Sequence, residues 1–360
     1  MAIRVLIVDD SALVRRILAM GLSMDPEIEV MGTAASATEA WAMMQASKPD
    51  VITLDVEMPA TDGVTFLTRF MPVMPVPTVV ISALTREAAP LTLQAMEAGA
   101  VDVIEKPAIG NGNGLPLMMG EICERVRQAA QARPRVRGTR AVPPPRRAGT
   151  TPATARAAAP PRQLIAIGSS TGGVQALHRI LPMFPEDCPP IVIVQHMPAG
   201  FTRDFARRLD GSCAVRVTEA EEGCPLEAGC AYVAPGGERH LIVQRNGHRG
   251  LRLALVEGDA VCFSRPSVDV MFRSVAAEAG RDTAAALLTG MGRDGAAGLL
   301  AIREAGGRTF AQDESSSVVY GMPLAAAELG AAQAILPLDD IPDRIIRSFG
   351  PVAAPRVARP

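Results

Sequence analysis

Short apolar runs alternate with segments of helical spacing twice along this chain, and this alternation constrains the fold more than any other feature. In the first third of the chain, strands are predicted at Arg4–Val8, Ile28–Ala34, Val51–Leu54, Thr78–Ser82 and Val101–Ile104. Helices are predicted at Ala12–Leu22, Ala37–Ala46, Gly63–Phe70, Ala88–Ala98 and Leu117–Ala130. Strands and helices in this order form a parallel sheet covered on both faces. A doubly wound α/β domain is therefore predicted over residues 1–124.

The same alternation returns in the second half of the chain. Strands are predicted there at Leu164–Gly168, Ile191–Gln195, Val215–Thr218, Cys230–Ala234, Leu241–Gln244, Leu251–Leu255, Ala284–Leu288 and Arg308–Ala311. Helical patterns lie between several of these strands, which predicts a second doubly wound α/β domain over residues 163–348.

The segment 125–162 separates the two predicted domains. It contains ten arginines, seven prolines and no acidic residue. Such a composition cannot bury a core, so we expect a flexible tether with stiff proline-rich patches. A contact between this basic segment and an acidic partner or lipid headgroups is the alternative. Residues 349–360 are expected to form a disordered tail.

Composition excludes several classes of protein. The formal net charge of −2 over 360 residues argues against a general nucleic-acid binder. No apolar run approaches the ~18 residues of a membrane span, so a soluble cytoplasmic protein without membrane insertion is expected. The six cysteines form no C-x-x-C pair, which is typical of reduced thiols and argues against structural zinc.

Chemically active side chains follow the predicted strands of the first domain. Asp9, Asp10, Asp55, Ser82 and Lys106 all stand at the carboxyl ends of strands, which meet at one edge of a parallel sheet. The three carboxylates could hold a hard divalent cation such as Mg²⁺. The cation would offset repulsion of an incoming phosphoryl group, and the lysine and serine could then bind its oxygens. The alternative is that the acidic residues are simply part of solvated loops.

The motifs around these residues resemble the receiver domain of two-component response regulators, which has a flavodoxin-like fold. The matching segments are Val8–Ser11, Leu54–Pro59, Ser82–Ala83 and Glu105–Pro107. The resemblance implies that Asp55 is the phosphoacceptor, that Mg²⁺ is needed for phosphorylation, and that the Lys106–Pro107 peptide is cis. Val103 stands where many receivers carry an aromatic switch residue.

In the second domain, a glycine-rich turn follows the apolar run at Ile165–Ile167. Ser170 lies between Gly168 and Gly172 in a G-x-S-x-G arrangement, which turns the backbone sharply and exposes a serine hydroxyl. The helix that follows directs its free N–H groups at this point and favours developing negative charge. The alternative is a phosphate loop of a nucleotide-binding module. However, the stretch Pro189–Met197 offers no acidic residue to bind a ribose.

A nucleophilic serine requires a histidine base. His196 ends the apolar strand Ile191–Gln195 and should lie at the same sheet edge as Ser170, so it is the preferred candidate. His178 lies two helical turns beyond the serine, and His248 lies in a predicted hairpin turn. His240 opens a strand and could line a cleft.

The carboxylate that orients the base is sought in the same way. Asp294 lies in the glycine-dense loop Thr289–Gly295, which follows the predicted strand at 284–288. It could orient His196 and stabilise the imidazolium formed when Ser170 loses its proton. Asp269 and Asp313 remain alternatives.

Both domains, in their order, resemble the chemotaxis protein-glutamate methylesterases. The matching segments of the second domain are Ile167–Gly173, Val194–Pro198, Ala234–His240, Arg265–Asp269, Thr289–Gly295, Ala311–Glu314 and Val318–Pro323. The resemblance implies a Rossmann-like catalytic domain in which Ser170 is the nucleophile, His196 the base and Asp294 the orienting carboxylate. It also implies that Thr171 and the backbone N–H of Met291 bind the oxyanion and that Arg239 contacts substrate.

The implied function is hydrolysis of glutamate γ-methyl esters on methyl-accepting chemotaxis receptors, with release of methanol and with deamidation of receptor glutamines. No cofactor is expected for the esterase reaction, and a CheA-type histidine kinase is the expected phosphodonor. The receiver is expected to cover the catalytic cleft until Asp55 is phosphorylated. Alternatives are a receiver-controlled serine esterase of a non-motility pathway and a non-catalytic nucleotide-binding regulator. A DNA-binding regulator is disfavoured, because no basic recognition helix is found over 163–348.

Overall fold

The computed structural model describes residues 2–59, 61–83, 88–107, 115–133, 163–247 and 250–350. The chain divides into two compact units, the first made mainly of residues before 141 and the second mainly of residues after it. Three parts of the predictions lie outside the described residues. They are residues 134–162 of the predicted linker, the predicted tail beyond residue 350, and His248.

The first unit contains a five-stranded parallel sheet. Its strands are β1 (Ile3–Val8), β2 (Ile28–Ala34), β3 (Val51–Leu54), β4 (Thr78–Ser82) and β5 (Asp102–Glu105), in the spatial order β2-β1-β3-β4-β5. Its helices are α1 (Ala12–Leu22), α2 (Ala37–Ala46), α3 (Gly63–Phe70), α4 (Ala89–Ala98) and α5 (Leu115–Ala130). The doubly wound α/β prediction is thus confirmed. Helix α5 extends to Ala130, so the first residues of the predicted linker are helical.

Local sequence explains these elements. Strands β3 and β4 are buried along their whole length, as expected for central strands covered on both faces. Helices α1, α2 and α3 begin where Ser11, Ser36 and Asp62 cap the first turn by accepting a backbone N–H bond. Because the strand order reverses between β1 and β3, the loops that carry Asp9 and Asp55 lie at the crevice where such sheets bind ligands.

The second unit contains a seven-stranded parallel sheet in the order β14-β13-β12-β6-β7-β9-β8. These strands are β6 (Leu164–Ser169), β7 (Ile191–Gln195), β8 (Arg216–Glu219), β9 (Cys230–Val233), β12 (Thr283–Leu287), β13 (Arg308–Gln312) and β14 (Ala334–Leu336). The remaining strands, β10 (Arg239–Arg245) and β11 (Leu251–Glu257), form a separate antiparallel pair. The helices in this part of the chain are α6 (Gly173–Ile180), α7 (Thr202–Asp210), α8 (Val268–Glu278), α9 (Ala296–Glu304), α10 (Met322–Glu328) and α11 (Ile341–Ser348).

Strand register brings the candidate residues to one edge of this sheet. Strand β6 lies between β7 and β12, with Ser169 paired to Gln195 and Gly168 paired to Leu287. The residues that follow these three strands therefore emerge side by side. They are Ser170, His196 and the loop that begins at Leu288.

Within the described residues, no helix has the length and apolar character needed to cross a bilayer.

Candidate active site

Ser170 occupies a sharp turn between β6 and α6. Its backbone N–H donates to Thr289 O at 3.0 Å, and its carbonyl accepts from Gly173 N at 2.7 Å. Gly172 adopts the left-handed conformation with φ of 76°, which favours glycine. A Cβ on Gly168 would lie 2.2 Å from a methyl group of Val268, so helix α8 also requires a glycine there.

His196 follows β7 directly, and its backbone N–H donates to Ser169 O at 3.0 Å. Its Nε2 lies 2.8 Å from Oδ2 of Asp294, and its Nδ1 lies 3.3 Å from Oγ of Ser264. Because the carboxylate accepts the Nε2 proton, Nδ1 is the nitrogen that carries the free lone pair. Among the described residues, no hydrogen bond joins the Ser170 hydroxyl to His196, whose two ring nitrogens lie near Asp294 and Ser264.

Asp294 is almost completely buried and receives four donors. Besides His196 Nε2, these are Ser267 Oγ at 2.7 Å, Val268 N at 2.8 Å and Asp269 N at 3.0 Å. Ser267 is the N-cap of α8, so the carboxylate binds the N-terminal turn of that helix. Burial alone would raise the pKa of Asp294, but the bond to His196 and these other donors hold the pKa below its ordinary value.

The alternative residues have other hydrogen-bond partners. His240 is buried, with Nε2 2.9 Å from Asp259 O and Nδ1 accepting from Ser267 N at 3.1 Å. Asp269 accepts from Gly298 N at 2.6 Å, and Asp313 binds Ser316 N at 2.9 Å.

His178 packs its ring against Phe205, with the ring centroids 5.7 Å apart.

Two candidate oxyanion donors lie next to Ser170. The Thr171 hydroxyl is buried and has no hydrogen-bond partner among the described residues. Met291 follows Gly290, where an added Cβ would lie 2.8 Å from Ser170 Cβ. The backbone N–H of Met291 likewise donates to no described acceptor. Both positions can therefore offer a donor to a negatively charged oxygen.

Arg239, the predicted substrate contact, is exposed at the start of β10. It lines an open cavity of about 650 Å³ together with Glu238, Glu257, Gly258, Asp259 and Arg265. Ser170, His196 and Asp294 are not among the residues that line this cavity, and the substrate contact of Arg239 stays a prediction.

The acidic site of the first unit is assembled as predicted. Asp9, Asp10 and Asp55 offer carboxylate oxygens within 4.8 Å of one another. Nζ of Lys106 lies 2.6 Å from Oδ2 of Asp55 and 3.3 Å from Oδ2 of Asp9. Ser82 is buried beside this edge, where its Oγ accepts from the Thr92 hydroxyl at 2.9 Å.

Burial dominates the electrostatics of these carboxylates. It raises the pKa of Asp55 to about 6 despite the opposing hydrogen bonds from Lys106 and Glu57 N. It also raises the pKa of Asp9, again against the charge of Lys106. Among the described residues, Asp9 Oδ2 is buried and, apart from its contact with Lys106, accepts no hydrogen bond. Buried, incompletely hydrogen-bonded carboxylate oxygens next to one another fit a hard divalent cation.

The prediction of a cis peptide bond at Lys106–Pro107 is wrong. Among the described residues the cis peptide bond is Arg265–Pro266. A trans bond is the ordinary preference before proline, and it already allows the lysine to reach Asp55.

Several supporting residues were not predicted from sequence. They are Gln195, Ser264, Ser267, Thr289 and Gln312. Gln195 and Gln312 are buried polar residues at the ends of apolar strands, which is a signal visible in the sequence. Ser264 and Ser267 reach the site through a loop whose path the sequence does not indicate.

Comparison with known proteins agrees with this geometry. The sequence profile of the CheB methylesterase family matches residues 165–345, and that of the response regulator receiver domain matches residues 5–111. The chain is 58% identical over 344 residues to a protein-glutamate methylesterase/protein-glutamine glutaminase of Cereibacter sphaeroides, covering 95% of this chain and 91% of that protein. It is 49% identical over 348 residues to a protein of the same description from Caulobacter vibrioides, covering 96% and 97%.

Among solved structures, the chain resembles the CheB methylesterase catalytic domain of Thermotoga maritima. The TM-score is 0.50 and the identity 39%, over 51% of this chain and 97% of that one.

Proposed function

Because the chain belongs to the family of CheB methylesterases that carry a response regulator receiver domain, we propose that it hydrolyses glutamate γ-methyl esters on methyl-accepting chemotaxis receptors. Methanol and a glutamate carboxylate are the products. The observation that carries this proposal is the convergence of Ser170, the His196–Asp294 pair and the unpartnered Thr171 hydroxyl at one sheet edge. The relatives named above are esterases and glutaminases, which agrees with it.

The proposed reaction begins with attack of Ser170 Oγ on the ester carbonyl carbon. Nδ1 of His196 takes the serine proton, because Nε2 already donates its proton to Asp294. The Thr171 hydroxyl and the Met291 N–H bind the oxyanion of the tetrahedral intermediate. The imidazolium then gives its proton to the departing methoxide, and methanol leaves an acyl-enzyme.

Hydrolysis of the acyl-enzyme repeats these steps with water. His196 removes a proton from the water molecule, which attacks the acyl carbon, and the proton returns to Ser170. Receptor glutamines would follow the same route with ammonia as the leaving group. We therefore include deamidation in the proposed activity.

Control is assigned to the receiver. Asp55 would accept a phosphoryl group from a CheA-type histidine kinase, with Asp9 and Asp10 completing the ligands of a Mg²⁺ ion. When bound, Mg²⁺ would neutralise charge on the transferring phosphoryl group. Lys106 and Ser82 would then hold its oxygens. Phosphorylation must favour an active arrangement by a few kcal/mol to shift its population appreciably.

We further propose the domain limits predicted above, except at the end of the receiver. Because α5 continues to Ala130, the proposed receiver ends there rather than at residue 124. It is followed by a tether up to residue 162, the catalytic domain over 163–348 and a tail over 349–360. A cytoplasmic location follows from the proposed substrate, since the ester-bearing receptor helices are expected there.

The test is methanol release from receptor membranes carrying labelled methyl groups, with and without a small phosphodonor and Mg²⁺. The full-length protein is compared with Ser170→Ala and Asp55→Ala. Release should vanish in Ser170→Ala and should rise with phosphodonor only when Asp55 is present. A folded protein that takes up phosphate but releases no methanol would contradict the proposed activity.

A further inference from the structure

Gln195 is the last residue of β7 and is almost completely buried next to the proposed catalytic residues. Its Nε2 donates to the carbonyl oxygens of both Ser170 and His196, each at 2.9 Å. Its Oε1 accepts from the Ser169 hydroxyl at 2.7 Å. One side chain thus binds the backbones of the proposed nucleophile and of its base.

We propose that Gln195 is a positioning residue that fixes the relative placement of Ser170 and His196 for reaction. This inference rests on the proposed function, since it assigns these two residues to one reaction. Ser170 follows β6 and His196 follows β7, and the backbone bond from His196 N to Ser169 O links the two strand ends. The amide of Gln195 adds one bond to the carbonyl oxygen of each residue.

These bonds restrict the peptide planes from which the reacting side chains extend. Ser170 O accepts from both Gly173 N and Gln195 Nε2, so the plane between Ser170 and Thr171 is held by two donors. That plane sets the direction in which Thr171 leaves the turn. The corresponding bond to His196 O restricts the peptide plane between His196 and Met197, just beyond β7. An error of about 1 Å in such placement can lower a rate by about 100-fold.

The network requires an amide at position 195. Two acceptors face Nε2 and one donor faces Oε1, a combination that glutamine satisfies completely. A glutamate carboxylate has no N–H to donate and would oppose both carbonyl oxygens. Methionine has similar size, yet it would leave the Ser169 hydroxyl and the His196 carbonyl without a partner and would remove one of the two donors to Ser170 O.

Gly173 gives independent support. A Cβ at this position would lie 2.0 Å from Gln195 Oε1 and 2.9 Å from Ser169 Oγ. Gly173 is not among the residues with positive φ, so glycine is not required there by backbone conformation. Its absent side chain instead leaves the space that the amide of Gln195 occupies.

The test compares full-length wild-type protein with Gln195→Met, Gln195→Glu and Thr309→Val. Thr309 is a matched control, because it is also buried and polar and donates to Ala331 O at 2.7 Å at the start of β13. Two reactions are followed. They are methanol release from methylated receptor membranes and labelling of Ser170 by a fluorophosphonate.

Both Gln195 variants should lose about 10- to 100-fold in kcat and in the labelling rate, with KM changed less than about 3-fold. Thr309→Val should lose stability without losing kcat. Ser169→Ala removes only one bond of the network, so its kcat and its labelling rate should fall less than those of either Gln195 variant. If the Gln195 variants do not fold, Ser169→Ala still tests the inference.

Equal labelling rates in wild type and a folded Gln195 variant would overturn the inference. A loss of kcat in Thr309→Val as large as in the Gln195 variants would also overturn it. Failure of the proposed function can be distinguished from failure of this inference, because in that case the wild-type protein itself would release no methanol. The labelling comparison would still report on the placement of Ser170.

Discussion

The two candidate sites of this chain each contain a buried aspartate beyond the end of a central strand, but the two carboxylates differ in how many hydrogen bonds they accept. Asp55 and Asp294 both follow a central strand of a parallel sheet, and both are almost completely buried. Asp294 receives four hydrogen-bond donors, including two N–H groups at the start of α8. Asp55 receives one backbone N–H, from Glu57, together with Lys106, and it lies close to Asp9.

The two carboxyl groups differ in the direction of their pKa shifts, in line with their numbers of donors. Burial opposes ionisation at both positions, but the pKa of Asp294 is held below its ordinary value while that of Asp55 rises to about 6. Asp294 therefore ionises more readily than an ordinary aspartate, which suits a group that orients an imidazole. Asp55 retains incompletely satisfied oxygens, which suits a group that must bind a cation and act as a nucleophile toward phosphorus.

The largest expected difference concerns catalysis by the two Asp→Asn variants. Asp294→Asn should lower methanol release by about 10³- to 10⁴-fold, because the amide no longer accepts the Nε2 proton and favours the wrong tautomer of His196. Asp55→Asn should leave unphosphorylated activity unchanged and abolish stimulation by phosphodonor. Initial rates with labelled receptor membranes measure both effects. A loss below 10-fold in Asp294→Asn would remove this residue from the proposed reaction.

The same pair should change stability in opposite directions. Asp294→Asn should destabilise the second unit by about 3 kcal/mol, because buried donors lose a charged acceptor. Asp55→Asn should stabilise the first unit by about 2 kcal/mol at pH 7 in EDTA, since it removes a buried charge with few donors. Urea unfolding followed by probes specific to each unit separates the two effects. Destabilisation by both variants would mean that Asp55 is satisfied as well as Asp294.

The pH dependence of the first unit sharpens this contrast. The folded pKa of Asp55 is about 6 against an ordinary value of 3.8, so the native state binds more protons than the unfolded state between these values. The free energy of unfolding should consequently fall by about 2 kcal/mol as the pH rises from 4 to 7 in EDTA. Asp55→Asn should flatten this part of the profile, and Mg²⁺ should restore stability at pH 7. A wild-type profile that rises over this window would contradict the raised pKa.

Sequence patterns predicted most of the fold, because the strands are largely apolar and because helices α1 to α3 follow residues whose side chains cap the first turn. Strand β7 and helices α1 to α3 have the predicted limits. Strand β14 was missed, since it has three residues, none of them fully buried, and lies at the sheet edge.

The candidate site divides in a similar way. Residues that directly follow a strand, such as Ser170 and His196, could be predicted, because the carboxyl ends of parallel strands lie at the same edge of the sheet. Ser264 and Ser267 could not, because a loop with a cis peptide bond and two residues of positive φ brings them to the site. Arg239 stays a prediction, because it lies at the start of β10, in an antiparallel pair outside the main sheet, where the strand ends of that sheet do not indicate its position.

The smallest predicted effect tests whether single donors account for the contrast between the two carboxylates. Ser267 caps α8 and also donates to Asp294 Oδ1 at 2.7 Å. Ser274 lies on the same helix and accepts from Val243 N at 3.0 Å, without contact to Asp294. Each serine, changed to alanine, should cost about 1 kcal/mol of stability.

Only Ser267→Ala should lower activity, by about 3- to 10-fold, because it alone removes a donor from the carboxylate that orients His196. Three donors would remain on Asp294, still more than Asp55 receives, so the carboxylate should stay ionised at neutral pH. Steady-state rates and urea unfolding of the two variants decide the point. Equal activities would mean that Ser267 acts only as a helix cap, and that the backbone N–H groups of α8 suffice to keep Asp294 charged.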